Sequence, residues 1–211
     1  MRKLLLTTAA VAAAIGLAGC GNGDPNTLID KRDGQKYRTV MIGGDRWMAQ
    51  NLNYETDSSW CYENNADSCN KYGRLYNWNA AKKACPIGYH LSSHQEWVRL
   101  ADTSAYIQCG TIQWKNTWPC ADEILKAKNG WRGNNSNGTD ALGFSALPGG
   151  VRVDSSGCFE RIGNAGVWWT ATMYGNNFWN IYLTSYYNNE LGEDYTNKSN
   201  GFSVRCIADK P

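Results

Sequence analysis

Alternating and β-branched stretches recur along the chain and predict a strand-rich domain. Residues 37–42 and 46–52 flank a Gly-Gly-Asp turn, which is the pattern of an N-terminal β-hairpin. Residues 167–172 are rich in Trp, Val and Thr, and residues 178–186 alternate between two faces. Residues 202–206 alternate in the same way, so we expect the chain to end in a half-buried strand of a C-terminal antiparallel meander.

Two main helices are predicted between these strands, with long loops around them. Residues 77–84 form a helical pattern that ends before a Cys-Pro pair, because a residue preceding proline avoids the helical region. Ser93 and Glu96 form a capping box that starts the second helix. Residues 123–128 predict a weaker helix, and residues 53–71 predict a polar loop. Hairpin, helices, loops and meander together indicate the α+β fold class.

The first 19 residues have the pattern of a bacterial lipoprotein signal peptide. A basic start precedes an apolar stretch of about 15 residues, which is too short for a membrane span of about 20. This stretch ends in Leu17-Ala18-Gly19-Cys20, which resembles a lipobox, so Cys20 is the predicted lipidation site. Gly21 favours sorting to the outer membrane, and residues 20–30 are expected to be a tether. We expect a lipid-anchored protein on the periplasmic or cell-surface face, with the membrane as a partner.

The net charge of the chain argues against nucleic-acid binding. The formal charge of +2 comes from Arg2 and Lys3, so residues 20–211 carry 19 basic and 19 acidic side chains. A domain without net charge lacks the basic surface that nucleic acids require, and no nucleic-acid partner is expected. With 10 Trp and 12 Tyr against 4 Phe, the chain favours rings that combine an apolar body with a polar group.

Seven cysteines follow Cys20, and export to an oxidising compartment makes disulfides their expected state. The short loops between them favour the pairs Cys61–Cys69 and Cys109–Cys120. A Cys85–Cys206 bond would close a loop of about 120 residues and would constrain the unfolded chain most. Cys158 is then left as a free thiol. None of these cysteines has the paired spacing of a zinc site.

Six sequence blocks occur in a characteristic order: residues 39–43 with 47–54, 72–78, 85–91 with 96–97, 143–150, 168–172 and 201–206. Together they resemble the Fibrobacter succinogenes major paralogous domain, over residues 31–208. The resemblance implies a C-type-lectin-like domain, in the branch shared with formylglycine-generating enzymes. In such folds a cysteine of the first helix bonds to the last strand, which also supports Cys85–Cys206. Cys109, Cys120 and Cys158 depart from the family pattern.

No catalytic, metal or cofactor site is predicted. His90 and His94 are four residues apart, but a helix cap lies between them, so the geometry of a helical metal pair is lost. Cys158 has no neighbouring base or orienting carboxylate in the sequence to make it a nucleophile. The Glu-Pro-Asn and Gln-Pro-Asp tripeptides, which C-type lectins use for calcium-dependent sugar binding, are both absent.

Aromatic and amide side chains remain as candidates for ligand binding, because rings stack on the apolar faces of sugars and amides bond hydroxyls. The candidates are Trp131, Asn134, Tyr174, Asn176, Asn177, Tyr182, Tyr186 and Asn188. Within residues 178–186, Trp179, Ile181 and Leu183 are expected to face the core, with Tyr182 and Tyr186 on the opposite face. The alternative is that the Trp residues fill the core and the Asn residues serve turns.

We therefore expect a surface-displayed lipoprotein whose lectin-like, non-catalytic domain binds polysaccharide or a protein partner. One alternative is an enzyme of the formylglycine-generating or hydrolase type, which requires a cleft lined by clustered titratable groups. The other is a structural envelope protein without a ligand pocket.

Overall fold

A computed structural model describes residues 24–110, 117–133, 136–185 and 190–210. Its strands are β1 (Thr27–Ile29), β2 (Lys36–Ile42), β3 (Asp45–Met48), β4 (Ser59–Trp60), β5 (Leu75–Tyr76), β6 (Tyr89–Leu91), β7 (Thr117–Pro119), β8 (Val151–Arg152), β9 (Phe159–Glu160), β10 (Ala165–Tyr174), β11 (Asn177–Thr184), β12 (Glu190–Thr196) and β13 (Cys206–Ala208). Its helices are α1 (Ala66–Tyr72), α2 (Trp78–Ala84), α3 (His94–Cys109) and α4 (Ala121–Leu125).

Two antiparallel sheets organise the domain and confirm the α+β class. The first has the order β1-β2-β3-β13-β6, so the last strand of the chain lies between strands from its first half. The second has the order β10-β11-β12-β7 and contains the predicted meander. Two further two-stranded sheets, β4-β5 and β8-β9, complete the strand pairing.

The longest helix, α3, begins and ends where its sequence provides caps. Ser93 accepts a hydrogen bond from the backbone of Glu96, whose carboxylate accepts one from the backbone of Ser93. Gly110 ends the helix with a φ of 66°, which glycine adopts without the steric cost of a Cβ atom. Trp97 and Leu100 lie on the buried face, where apolar burial stabilises the domain by about 1.5–3 kcal/mol per side chain.

Aromatic side chains fill two hydrophobic cores on opposite faces of the second sheet. In the first core Trp97 lies 5.1 Å from Trp47 and 5.8 Å from Trp168, measured between ring centroids. Ile181 and Leu183 of β11 reach this core, whereas Phe178 of the same strand reaches the second. Strand β11 is therefore packed on both faces along much of its length.

A buried arginine connects the two halves of the chain. Arg205 is 0% exposed, and its Nε donates to Asn51 Oδ1 over 2.6 Å. Its other nitrogens donate to the carbonyls of Met48 (3.0 Å), Phe144 (2.7 Å) and Ser145 (2.9 Å). Burial lowers the pKa of Arg205 to about 9, so the guanidinium remains charged at neutral pH. Backbone dipoles and one amide oxygen therefore solvate this charge, because no ion pair to it occurs among the described residues.

Asn51 completes this arrangement. Its Oδ1 also accepts a hydrogen bond from Trp168 Nε1 (2.9 Å). Its Nδ2 donates to the carbonyl of Tyr72 (2.8 Å) and to Ser203 Oγ (3.3 Å). Every polar atom of this buried side chain has a partner, and the partners come from segments distant in sequence.

The structure contains the three disulfides that the spacing favours: Cys61–Cys69, Cys85–Cys206 and Cys109–Cys120. Cys158 is a free, exposed thiol in the turn between β8 and β9. The Cys85–Cys206 bond joins the C-terminal end of α2 to β13. It therefore fixes the last strand to the first half of the chain.

Several local predictions differ from the structure. The polar loop expected over residues 53–71 contains β4, a short 3-10 turn and α1. Here Asn65 caps α1 by accepting a hydrogen bond from the backbone of Asp67, a local signal that the polar composition concealed. The helix expected over residues 123–128 is α4, which begins earlier and ends at Leu125.

The predictions for the two ends of the domain also differ from the structure. The tether expected over residues 20–30 already contains β1, which pairs with β2 and so belongs to the domain. The final strand begins at Cys206 rather than at residue 202, and it joins the first sheet rather than the meander. Strand alternation identifies a strand but carries no information about its partner, which explains the second error.

We expect Arg205→Met to destabilise the domain by about 2–4 kcal/mol, because it leaves buried acceptors without a donor. Arg38→Met is the matched control: Arg38 donates to Ser145 Oγ over 2.9 Å but is exposed, so we expect a change below about 0.5 kcal/mol. Urea unfolding followed by tryptophan fluorescence measures both. Equal midpoints for the two variants would contradict the central role of Arg205.

Candidate functional site

Three aromatic rings form an exposed cluster at the end of the β10–β11 hairpin. The Tyr174 ring lies 5.3 Å from Trp179 and 4.7 Å from Tyr195, and Trp179 lies 5.5 Å from Tyr195. Tyr174 is 53% exposed and Tyr195 is 45% exposed, although tyrosine usually buries much of its ring. We call Tyr174, Trp179 and Tyr195 the aromatic surface.

Strand register brings these rings together. Tyr174 pairs with Asn177 across the hairpin, and Trp179 pairs with Tyr195 on the neighbouring strand. Gly175 has a φ of 57° in the two-residue turn, a conformation that glycine adopts readily. Asn176 is exposed at this turn and Asn177 is half-buried, so amide groups border the rings.

The N-terminus of α3 packs against the Trp179 ring of the aromatic surface. The His94 ring stacks on Trp179 with centroids 4.7 Å apart and planes 26° apart. His94 Nε2 lies 2.6 Å from Glu193 Oε2, and the backbone N–H of His94 donates to Thr172 Oγ1 over 3.0 Å. The Trp179 ring is therefore held between a fixed imidazole and the two tyrosines.

The opposite face of β11 lines a cavity of about 600 Å³. Asn180, Tyr182 and Thr184 contribute to its wall, and the β8–β9 strands and Phe202 close another side. The predicted alternation of β11 places these residues on one face, which is partly buried rather than fully open to solvent: Tyr182 and Thr184 are half-buried. Phe178 and Asn180 are both buried.

The predicted site residues separate into four groups. Tyr174, Asn176 and Asn177 lie at the aromatic surface, and Tyr182 is half-buried at the cavity. Trp131 is not part of an exposed surface: it is 4% exposed, and its Nε1 donates to the carbonyl of Ala146 over 3.0 Å. Its Gly- and Asn-rich surroundings suggested an open loop, but the indole lies in the first core. The predicted residues outside the described part are Asn134, Tyr186, Asn188 and the lipidation site Cys20.

The sequence did not indicate His94, Tyr195 or Asn180 as site residues. The prediction that Trp179 faces the core was wrong, because its ring is half-buried at the aromatic surface. Tyr195 reaches the aromatic surface through the β11–β12 register, which no local pattern contains. His94 follows the recognised cap of α3, but its contact with Trp179 joins residues far apart in sequence. A pairing of residues 190–196 with residues 178–183 was the missing information.

The described residues contain neither a candidate metal-binding cluster nor a candidate membrane-spanning helix. No group of three or more His, Cys, Asp or Glu side chains in that part of the chain is placed to hold a metal ion. Within the same residues, no helix is both long enough and apolar enough to cross a bilayer.

The fold and these surfaces define an α+β domain with antiparallel sheets. The family model of the Fibrobacter succinogenes major domain matches residues 40–208, and the chain belongs to this family. No curated protein and no solved structure matches the chain.

A pH-dependent interaction supports α3 close to His94. His90 Nδ1 lies 2.7 Å from Asp209 and its Nε2 lies 3.1 Å from Glu96, the capping residue of α3. Burial lowers the pKa of His90, but the hydrogen bonds and charges of Asp209 and Glu96 outweigh it, so the pKa is raised above 6.5. The charged imidazolium is therefore the form that these contacts stabilise.

We expect the stability that His90 contributes to be complete below its unfolded pKa of about 6.5 and to be lost as the pH rises through the folded value. The wild type should therefore lose more unfolding free energy than His90→Gln between about pH 5.5 and about pH 8.5. Urea unfolding at the two pH values measures this difference. Parallel losses in the two proteins would show that His90 is not responsible.

Proposed function

We propose that this protein is a lipid-anchored protein of the outer membrane that presents a non-catalytic, polysaccharide-binding domain. One observation carries the binding proposal: an ordered cluster of aromatic rings remains exposed at the end of the β10–β11 hairpin. Exposed apolar patches that are bordered by polar groups often mark binding sites, and this cluster is bordered by the amides of Asn176 and Asn177.

Polysaccharide fits the chemistry of the aromatic surface. Sugar rings present apolar C–H faces that stack on tyrosine and tryptophan, while their hydroxyls bond to amides such as those of Asn176 and Asn177. The Tyr174 and Tyr195 rings lie 4.7 Å apart with planes tilted by 36°, so they pack partly on each other and leave the exposed part of the pair to contact a sugar ring.

Support from the sheet and from α3 reduces the entropy that binding would cost. The rings contact one another, and Trp179 also stacks on His94, which Glu193 holds in place. Side chains that are ordered before binding lose less rotamer freedom when a ligand arrives. The surface can therefore bind a flexible polymer through few contacts.

The expected location of the protein at the cell envelope supports the same function. The segment Leu17-Ala18-Gly19-Cys20 resembles a lipobox, and Gly21 favours outer-membrane sorting. Acyl chains on Cys20 would each contribute about 0.8 kcal/mol per buried methylene to membrane binding. A domain held at the cell envelope would meet polysaccharide at high local concentration.

We expect Tyr174→Ala and Tyr195→Ala to weaken binding of a soluble polysaccharide by about 1 kcal/mol each, roughly fivefold in Kd. Affinity electrophoresis against a panel of neutral plant and bacterial polysaccharides measures the effect. Unfolding midpoints should change little, because both rings are largely exposed.

Tyr106→Ala provides the matched control. Tyr106 is 66% exposed on α3 and lies outside the cluster, so its removal should leave retardation unchanged. Equal losses in all three variants would contradict a specific aromatic surface. Release of reducing ends from a retained polysaccharide would contradict the non-catalytic assignment.

We expect Cys20→Ala to abolish membrane retention, because the acceptor thiol for the lipid is removed. Detergent partitioning of the expressed full-length chain measures retention, and Cys158→Ala is the control with a lipid acceptor intact. A Cys20→Ala protein that remains wholly in the detergent phase would contradict the lipobox interpretation.

A further inference from the structure

A second candidate site lies in the cavity of about 600 Å³ on the opposite face of the meander. Its volume falls within the range of about 300–1,000 Å³ that is usual for small-molecule sites. The aromatic surface uses the face of β11 that carries Trp179 and Ile181, whereas this cavity uses the face that carries Asn180 and Tyr182. We call it the sheet cavity; it shares none of the three rings of the aromatic surface, although Glu193, which holds His94 behind Trp179, also lines it.

The side-chain amide of Asn180 lines the sheet cavity, and no contact among the described residues accounts for it. It is only 4% exposed, yet its side-chain amide makes no hydrogen bond to any residue that the structure describes. Its neighbours in the sheet are Trp169 on one strand and Asp194 on the other. The amide is not among the enclosed polar groups that lack a partner in the described residues, so its atoms are open to the cavity and can hydrogen-bond to what enters it. The cavity that Asn180 lines is where a partner can bind.

The remaining wall combines apolar and polar groups. Val151, Val167 and Phe202 supply apolar surface, and Thr184 supplies a hydroxyl. Tyr182 adds a ring whose position depends on its neighbour Gly192: a Cβ atom at Gly192 would overlap this ring. The glycine therefore lets the tyrosine lie flat across β12 at the edge of the cavity.

The charged side chains that line the sheet cavity indicate which class of ligand it can bind. Three carboxylates line it: Glu193 is paired with His94, whereas Glu160 and Asp194 form no ion pair within the described residues. Arg161 also lines it, whereas the guanidinium of Arg152 is engaged 4.1 Å above the Trp60 ring. Carboxylates accept hydrogen bonds from hydroxyls and repel anions. The lining thus suits a ligand rich in hydroxyls and without negative charge.

We propose that the sheet cavity binds a single neutral sugar unit, whose hydroxyls bond to the Asn180 amide and whose C–H face packs on Tyr182. The two sites then differ in what they recognise. The aromatic surface contacts the length of a polymer, and the sheet cavity accommodates one sugar unit.

Titration with neutral methyl glycosides tests this proposal, with the side-chain NH₂ signal of Asn180 and the backbone signal of Gly192 followed by NMR. We expect both signals to shift at millimolar concentrations of at least one of the methyl glucoside, galactoside, mannoside or xyloside. Glucuronate and glucosamine are the charged probes. Shifts that only a charged probe produces, or no shift with any neutral glycoside, would overturn the proposal.

Two asparagine variants separate a ligand-binding amide from a structural one. Asn180→Leu should bind the glycoside about tenfold more weakly or not at all, while its melting temperature stays the same or rises. Asn51→Leu is the contrast, because that asparagine is equally buried but hydrogen-bonded throughout, and its melting temperature should fall. If Asn180→Leu lowers the melting temperature as Asn51→Leu does, the amide is structural and the proposal fails.

The aromatic variants distinguish this proposal from the proposed function. Tyr174→Ala and Tyr195→Ala should leave the glycoside titration of the sheet cavity unchanged. Loss of the Asn180 shift in those variants would mean that the two faces form one site, which would overturn the assignment of a second site.

Discussion

The hydrogen bond between Arg205 and Asn51 is the contact on which the rest of the domain depends. It joins a residue near the end of the chain to one in the first quarter, and the same asparagine also holds Trp168 and the end of α1. A buried guanidinium without a counter-ion is tolerated only when several acceptors surround it. Those acceptors come from two segments far apart in sequence, residues 48–51 and 144–145, so the charge is satisfied only when both segments are in place. Specificity, rather than net stabilisation, is what such a group contributes.

Strand β11 links the fold to both candidate sites. Ile181 and Leu183 pack in the first core, and pairing with both neighbouring strands fixes the register of β11. Near the hairpin turn the same strand leaves one core and presents Trp179 to the aromatic surface. On its other face it presents Asn180 and Tyr182 to a cavity. One rigid strand therefore positions two chemically different surfaces, and rigid elements position side chains more accurately than loops do.

Local patterns predicted the elements well and their assembly less well. Hairpin turns, the capping box of α3 and the Cys spacings are encoded within a few residues, and the structure contains each of them. The place of β13 between β3 and β6 and the pairing that brings Tyr195 to Trp179 depend on contacts across the whole chain. Trp131 shows the same limit, because polar neighbours in sequence do not reveal that its ring packs among distant apolar residues. The aromatic surface was therefore visible only in part from the sequence.

The position of β13 sets the order in which the chain can fold. Translation releases the N-terminal half first, yet the first sheet has a vacant internal position until β13 has left the ribosome. Arg205, Cys206 and Ile207 all lie in or beside that final segment. Folding that waits for contacts of such long sequence separation is slow, because loop closure must precede the gain from pairing. The first sheet can therefore be completed only after β13 has been synthesised.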